Sequence, residues 1–97
     1  MTKKQKKELV RANILAIVLN ENTFENDTKS SKRICNDIKV ALKTNGVNMK
    51  NVSVCEASCG GFYKLTFWAN ADDLTNIFAV AKTIGATDIE FEWSDVQ

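Results

Sequence analysis

KKQKKELVRANILAIVLNEN, residues 3–22, admits two readings, and each leads to a different fold. No helix breaker stands between Lys3 and Asn20, and good helix formers dominate. On a helical wheel Val10, Ile14, Leu15, Ile17, Val18 and Leu19 form a broad apolar arc, with Asn13, Ala16 and Asn20 opposite. A strand over residues 13–19 is the competing reading, because periodicity alone does not resolve so short an apolar run. Propensity and length predict the helix.

The segments that follow are clearer. Asp27 or Ser30 supplies an N-cap oxygen, and Ile34, Ile38, Ala41 and Leu42 recur at helical spacing. Gly46 suits the left-handed turn at the end of that helix. NVSVCEAS and FYKLTFWA both alternate, and Ser58-Cys59-Gly60-Gly61 between them provides the positive φ of a tight hairpin. In NADDLTNIFAVAKTIG, Asn70 and Asp73 occupy capping-box positions. Leu74, Ile77, Phe78, Ala81 and Ile84 make its buried stripe, and Gly85 stops it. Finally, Ile89, Phe91 and Trp93 alternate with Glu90 and Glu92, as in a strand with one wet face.

The expected fold is a single α+β domain spanning residues 1–97, with a basic, frayed stretch at 1–7 and a short tail at 94–97. Its order is α-α-β-β-α-β, with the helices packed on one face of a short mixed sheet. The last β-α-β unit should cross over right-handedly, with its two strands parallel. If residues 13–19 are a strand, the order becomes the ferredoxin-like β-α-β-β-α-β.

Charge is unevenly placed. Residues 1–50 hold eleven Lys/Arg against five Asp/Glu, a net of +6, and residues 51–97 hold two against seven, a net of −5. Three cysteines, Cys35, Cys55 and Cys59, are an odd number without a framework spacing. With no signal-peptide pattern and an apolar run of only six residues, ILAIVL, a cytoplasmic protein with reduced thiols is expected, without a membrane span.

The chemistry of sites is thinly represented. Histidine is absent, so the commonest general base and a frequent metal ligand are both missing. Cys55 and Cys59 stand at C-x3-C running into a hairpin, about 13 Å apart if extended, which does not suit a zinc knuckle. Lys64 is the one nearby cation available to activate a cysteine nucleophile. Glu90 and Glu92 share a strand face about 7 Å apart, the arrangement of solvated residues more than of an acid–base pair. The expectation is a protein that is not an enzyme and that binds no metal or cofactor.

GGFYKLTF, residues 60–67, resembles the aromatic strand motif of RNA-recognition-motif domains. Gly61, Phe62, Leu65 and Phe67 match that motif. Gly60 stands in place of its basic residue, Tyr63 of its small residue and Lys64 of its second stacking aromatic. The resemblance covers eight residues and implies single-stranded RNA on an open sheet face. Glu90 and Glu92 on that face would repel phosphate, and ILAIVLN on the partner strand has no aromatic for stacking.

Protein binding is the favoured reading. Phe62 and Trp68 fall on the face opposite Leu65 and Phe67, with Lys64, Glu90 and Glu92 around them, which is the composition of an interaction hot spot. Asp88 and Asp95 would extend an acidic surface that mimics nucleic acid. Lys3, Lys4, Lys6, Lys7 and Arg11 form an alternative basic patch for phosphates. A homodimer through the open face needs no foreign partner. In size, charge division and Lys/Asn-rich composition the chain resembles small accessory proteins of phages and other mobile elements. Inhibitors of host defence, anti-CRISPR proteins among them, belong to that group. The likeness is one of style and rests on no motif.

Overall fold

The deciding stretch is a strand. In the computed structural model, which describes residues 9–58 and 60–93, β1 spans Leu9–Ala16. Its even-numbered residues Val10, Ala12, Ile14 and Ala16 are all buried, which is the period of two that a strand requires. The helix expected over this segment is thereby corrected, and the strand lies earlier than residues 13–19. The reason is position. β1 is flanked on both sides by other strands, so even Asn13 on its other face is only 8% exposed. The helix-like arc is completed by half-buried Leu15 on that face and by Ile17, Val18 and Leu19, which lie beyond the strand and are not buried.

The chain then runs through α1 (Thr28–Thr44), β2 (Lys50–Glu56), β3 (Tyr63–Asn70), α2 (Leu74–Ile84) and β4 (Asp88–Trp93). This is the ferredoxin-like β-α-β-β-α-β order, with the four strands arranged β2-β3-β1-β4. The sheet is antiparallel at every junction and not mixed. β3 and β4 do run parallel to each other, as expected of a β-α-β crossover, but β1 lies between them.

Both helices cover the same face. Cys35, Ile38 and Leu42 of α1 and Ile77 and Ala81 of α2 join Ala12, Ile14, Ala16, Leu65, Phe67 and Ala69 of the sheet in one core cluster. The α1 stripe is therefore 31, 35, 38 and 42, with Ile34 and Ala41 only half-buried. Its start is as expected: the Asp27 carboxylate accepts from the Ser30 N–H at 3.1 Å and from the Ser30 hydroxyl at 2.9 Å. At its end Gly46 takes φ +86°, and the Val47 N–H returns to the Leu42 carbonyl at 3.0 Å.

Three expectations for the second half change. Asn70 makes no side-chain cap, because a single 3-10 turn, Ala71–Asp73, intervenes before α2. Phe78 is 48% exposed instead of buried, and the Lys82 ammonium one turn on lies 5.9 Å from its ring centroid. Val80 takes its place against the core. Trp93, at the end of an edge strand, is 58% exposed.

Ser31 fastens α1 to the sheet. Its fully buried hydroxyl donates to the Ala16 carbonyl and accepts from the Tyr63 N–H at 2.6 Å. Ala16 and Tyr63 are the last register pair of β1 and β3, so the hydroxyl sits where their ladder ends. The β2–β3 hairpin is fastened nearby. Gly61, at φ +90°, passes so close to Asn26 that a Cβ there would overlap the amide, and its carbonyl accepts from the Thr28 hydroxyl at 3.3 Å.

Candidate functional site

With both helices on one side, the opposite side of the sheet is an open face among the described residues. Register fixes which residues line up across it. One row reads Lys50, Trp68, Arg11, Glu92 from β2 to β4. The next reads Ser53, Thr66, Asn13, Glu90, and the third reads Cys55, Lys64, Leu15, Asp88. Neighbouring strands are about 4.8 Å apart, so each row spans roughly 14 Å.

The rows are ordered by charge. Lys50, Lys64 and Arg11 occupy the first three strands, whereas β4 presents Asp88, Glu90 and Glu92 along one edge. Trp68 is half-buried between Lys50 and Arg11. At the centre the Asn13 side chain is satisfied on both sides. Its Oδ1 accepts from the Thr66 hydroxyl at 3.2 Å, and its Nδ2 donates to Glu92 Oε2 at 3.3 Å. That chain of bonds ties the Glu92 carboxylate to the centre of the face, although Glu92, like Glu90 and Asp88, is exposed.

The structure brings Lys64, Trp68, Glu90 and Glu92 onto this one face. Lys64 is not beside the glutamates, however: Leu15 separates it from Asp88 in its row. Phe62 lies just outside β3, at the hairpin end, where its carbonyl accepts from the Ala57 N–H at 2.9 Å. Arg11, assigned to the N-terminal basic patch, stands on this face between Trp68 and Glu92. Lys3, Lys4, Lys6, Lys7 and Asp95 lie outside the described residues. Asn13 and Lys50 were not foreseen. Strand alternation through Arg11, Asn13 and Leu15 is the signal that would have found the first of these.

The cysteines have separate environments. Cys35 is fully buried, and that burial pushes its thiol up to about 11, with the charge of Cys55 a smaller contribution. Cys55 is exposed on the open face. Among the described residues no group of three or more His, Cys, Asp or Glu is placed to hold a metal ion. Two surface cavities, one beside Val40 and Met49 and one beside Ala79 and Thr83, both lie on the helical side. No described helix is long and apolar enough to cross a membrane.

No family model matches the chain, and no curated protein matches it. Solved structures do match, among them the solution structure of the C-terminal domain of the MgtC protein from Mycobacterium tuberculosis. That domain superposes with a TM-score of 0.60 over 97% of this chain and 95% of its own, at 8% sequence identity. The two chains share a fold, and at that identity the likeness extends no further.

Proposed function

We propose that this chain is a non-catalytic binding domain whose open sheet face takes a protein partner. The observation that carries the reading is the row Lys50, Trp68, Arg11, Glu92: an aromatic between two cations, beside a carboxylate edge. A large half-buried aromatic is the usual anchor of an interface, and a face with both signs of charge selects a partner of matching polarity. If that partner is a nucleic-acid-binding defence protein, Asp88, Glu90 and Glu92 are the residues that would occupy its groove. The inhibitor reading is that special case.

RNA on the same face is opposed by those three carboxylates, since affinity for a phosphate chain comes largely from neutralising it. A fluorescence titration with single-stranded RNA at low salt, repeated on Trp68→Phe, separates the two readings. The expected result is no Trp68-dependent quenching; saturable quenching carried by Trp68 would replace protein by RNA. For the protein reading, partners are captured from the source cells on the wild type, Trp68→Ala, Glu90→Lys and a Thr83→Ala control on the exposed back of α2. A specific partner should be retained by the wild type and the control and lost from both face variants. Retention by folded forms of both face variants removes this face from consideration.

A further inference from the structure

The connection between β1 and α1 is a second, separate feature. Residues Leu19 and Asn26 form an antiparallel bridge, and the Asn20 N–H donates to the Glu25 carbonyl at 2.8 Å. The Asn20 side-chain oxygen accepts from the N–H groups of Asn22 at 2.8 Å and Thr23 at 3.3 Å. The Phe24 N–H donates to the Asn20 carbonyl at 2.7 Å. The result is a closed miniature hairpin with Phe24 near its tip. Phe24 is 82% exposed and held at φ +61°, a backbone conformation that disfavours a bulky side chain. Two unfavourable features therefore coincide at one residue, an aromatic ring in water and a left-handed backbone. Strain of this kind persists where surrounding bonds enforce it, and it concentrates at sites of recognition. Leu19, 59% exposed, adds apolar surface to the loop. Its charges, Glu21, Glu25 and Asp27, are all negative, and no Lys or Arg lies between Ile17 and Thr28.

The far end of α1 carries the complement. A groove of about 440 Å³ lies between the last turns of α1 and the β2 edge, floored by Val40, Val47, Met49 and Val52. Lys39 and Lys43 rim it, and no carboxylate lines it. Val40 is 60% exposed and Val52 39%. The β2 bulge keeps that edge turned out: three steps on β2 from Lys50 to Ser53 oppose two on β3, and Asn51 takes φ +55°.

We propose that the Phe24 loop of one copy seats in the Val40/Met49/Val52 groove of the next, with Glu21 and Glu25 meeting Lys39 and Lys43. The occupant is a second copy because loop and groove match in polarity and in charge, apolar centre to apolar floor and acidic flank to basic rim. They cannot meet within one molecule. They flank opposite ends of α1, whose 17 residues make a rod of about 25 Å. The contact is therefore heterologous, head to tail, and joins copies into a ring or an open filament. It uses none of the open-face residues, so it stands or falls independently of the partner reading above.

The test is sedimentation across a wide concentration range at low salt, on the wild type, Phe24→Asp, Val40→Glu and an equimolar mixture of the two variants. Asp tolerates a left-handed backbone, so the loop keeps its shape. Both positions are exposed, and circular dichroism checks that each variant is folded. The expected wild-type mass rises with concentration and falls back at high salt, where the Glu–Lys attraction is screened. Each variant alone should associate at least tenfold more weakly. The mixture should form capped 1:1 dimers and nothing larger, because Val40→Glu retains only a loop and Phe24→Asp retains only a groove. A monomeric wild type at millimolar concentration overturns the proposal. So does self-association that survives in both variants and disappears in Trp68→Ala, the result a symmetric open-face dimer would give.

Discussion

A single hydroxyl, that of Ser31, joins three elements of this protein. It satisfies a carbonyl of β1 and an amide of β3 from its place on α1. Ser31→Ala would strand both groups at the end of the β1–β3 ladder, and unpaired buried polar groups cost about 1–3 kcal/mol. A urea midpoint lowered to that extent, with an unchanged m value, is the expected outcome. Cys35 gives a second effect at the same scale. Between the unfolded thiol's pKa of about 8.5 and the folded value of about 11, the unfolded chain sheds a proton that the native chain keeps. Stability contributed by Cys35 is thus complete below that window and declines as pH rises through it. Stability measured from pH 8 to 11 should fall less steeply in Cys35→Ala than in the wild type. Equal slopes would mean that the thiol is not the titrating group.

At the scale of elements, the start of α1 depends on Asp27. The Ser30 N–H first, and then the Ser30 hydroxyl, hold its carboxyl below the usual carboxylate range. The cap is therefore fully in place above the unfolded pKa of about 3.9 and is lost as pH falls through the lower folded value. Asp27→Ala should flatten the acid limb of the stability profile, while leaving the slope near neutral pH unchanged. This element was legible in advance, as were β3 and β4, because their signals are local: a cap, a stripe, an alternation. β1 was not, since Ile17, Val18 and Leu19 beyond its end complete a helix-like apolar arc, while its partners β3 and β4 lie far along the chain, outside any window of its own sequence. Phe78 was misplaced for a different reason: its apolar character fits the stripe, but Val80 fills that place against the core, and the ring lies at the surface beside Lys82 one turn on. The candidate face followed the strands. Lys64, Trp68, Glu90 and Glu92 were assigned to it correctly by parity, whereas Arg11 and Asn13 depended on recognising β1.

At the scale of the whole molecule, the sheet leaves two edges, β2 and β4, and they are guarded differently. β4 carries Asp88, Glu90 and Glu92, charges that discourage pairing with another strand. β2 carries a bulge, which breaks its regular run of backbone donors and acceptors. Backbone pairing between copies at the strand edges is therefore discouraged, which leaves side-chain contacts such as the proposed loop and groove. The proposed loop–groove contact and the proposed open-face contact share no residue, so their variants should act independently. Trp68→Ala should leave the sedimentation behaviour of the wild type unchanged, and Phe24→Asp should leave capture by the open face unchanged.

The central place of β1 also bears on how the protein comes into being. Its first strand has one neighbour in β3 and the other in β4, and the Asn13–Glu92 contact closes a loop of 79 positions. During synthesis, β1 leaves the ribosome long before its second neighbour exists. Until β4 is made and released, the nascent chain carries an apolar strand with one side unpaired, a natural substrate for a chaperone. Native structure should then arise in one late step, after β4 emerges, and not progressively as the chain lengthens.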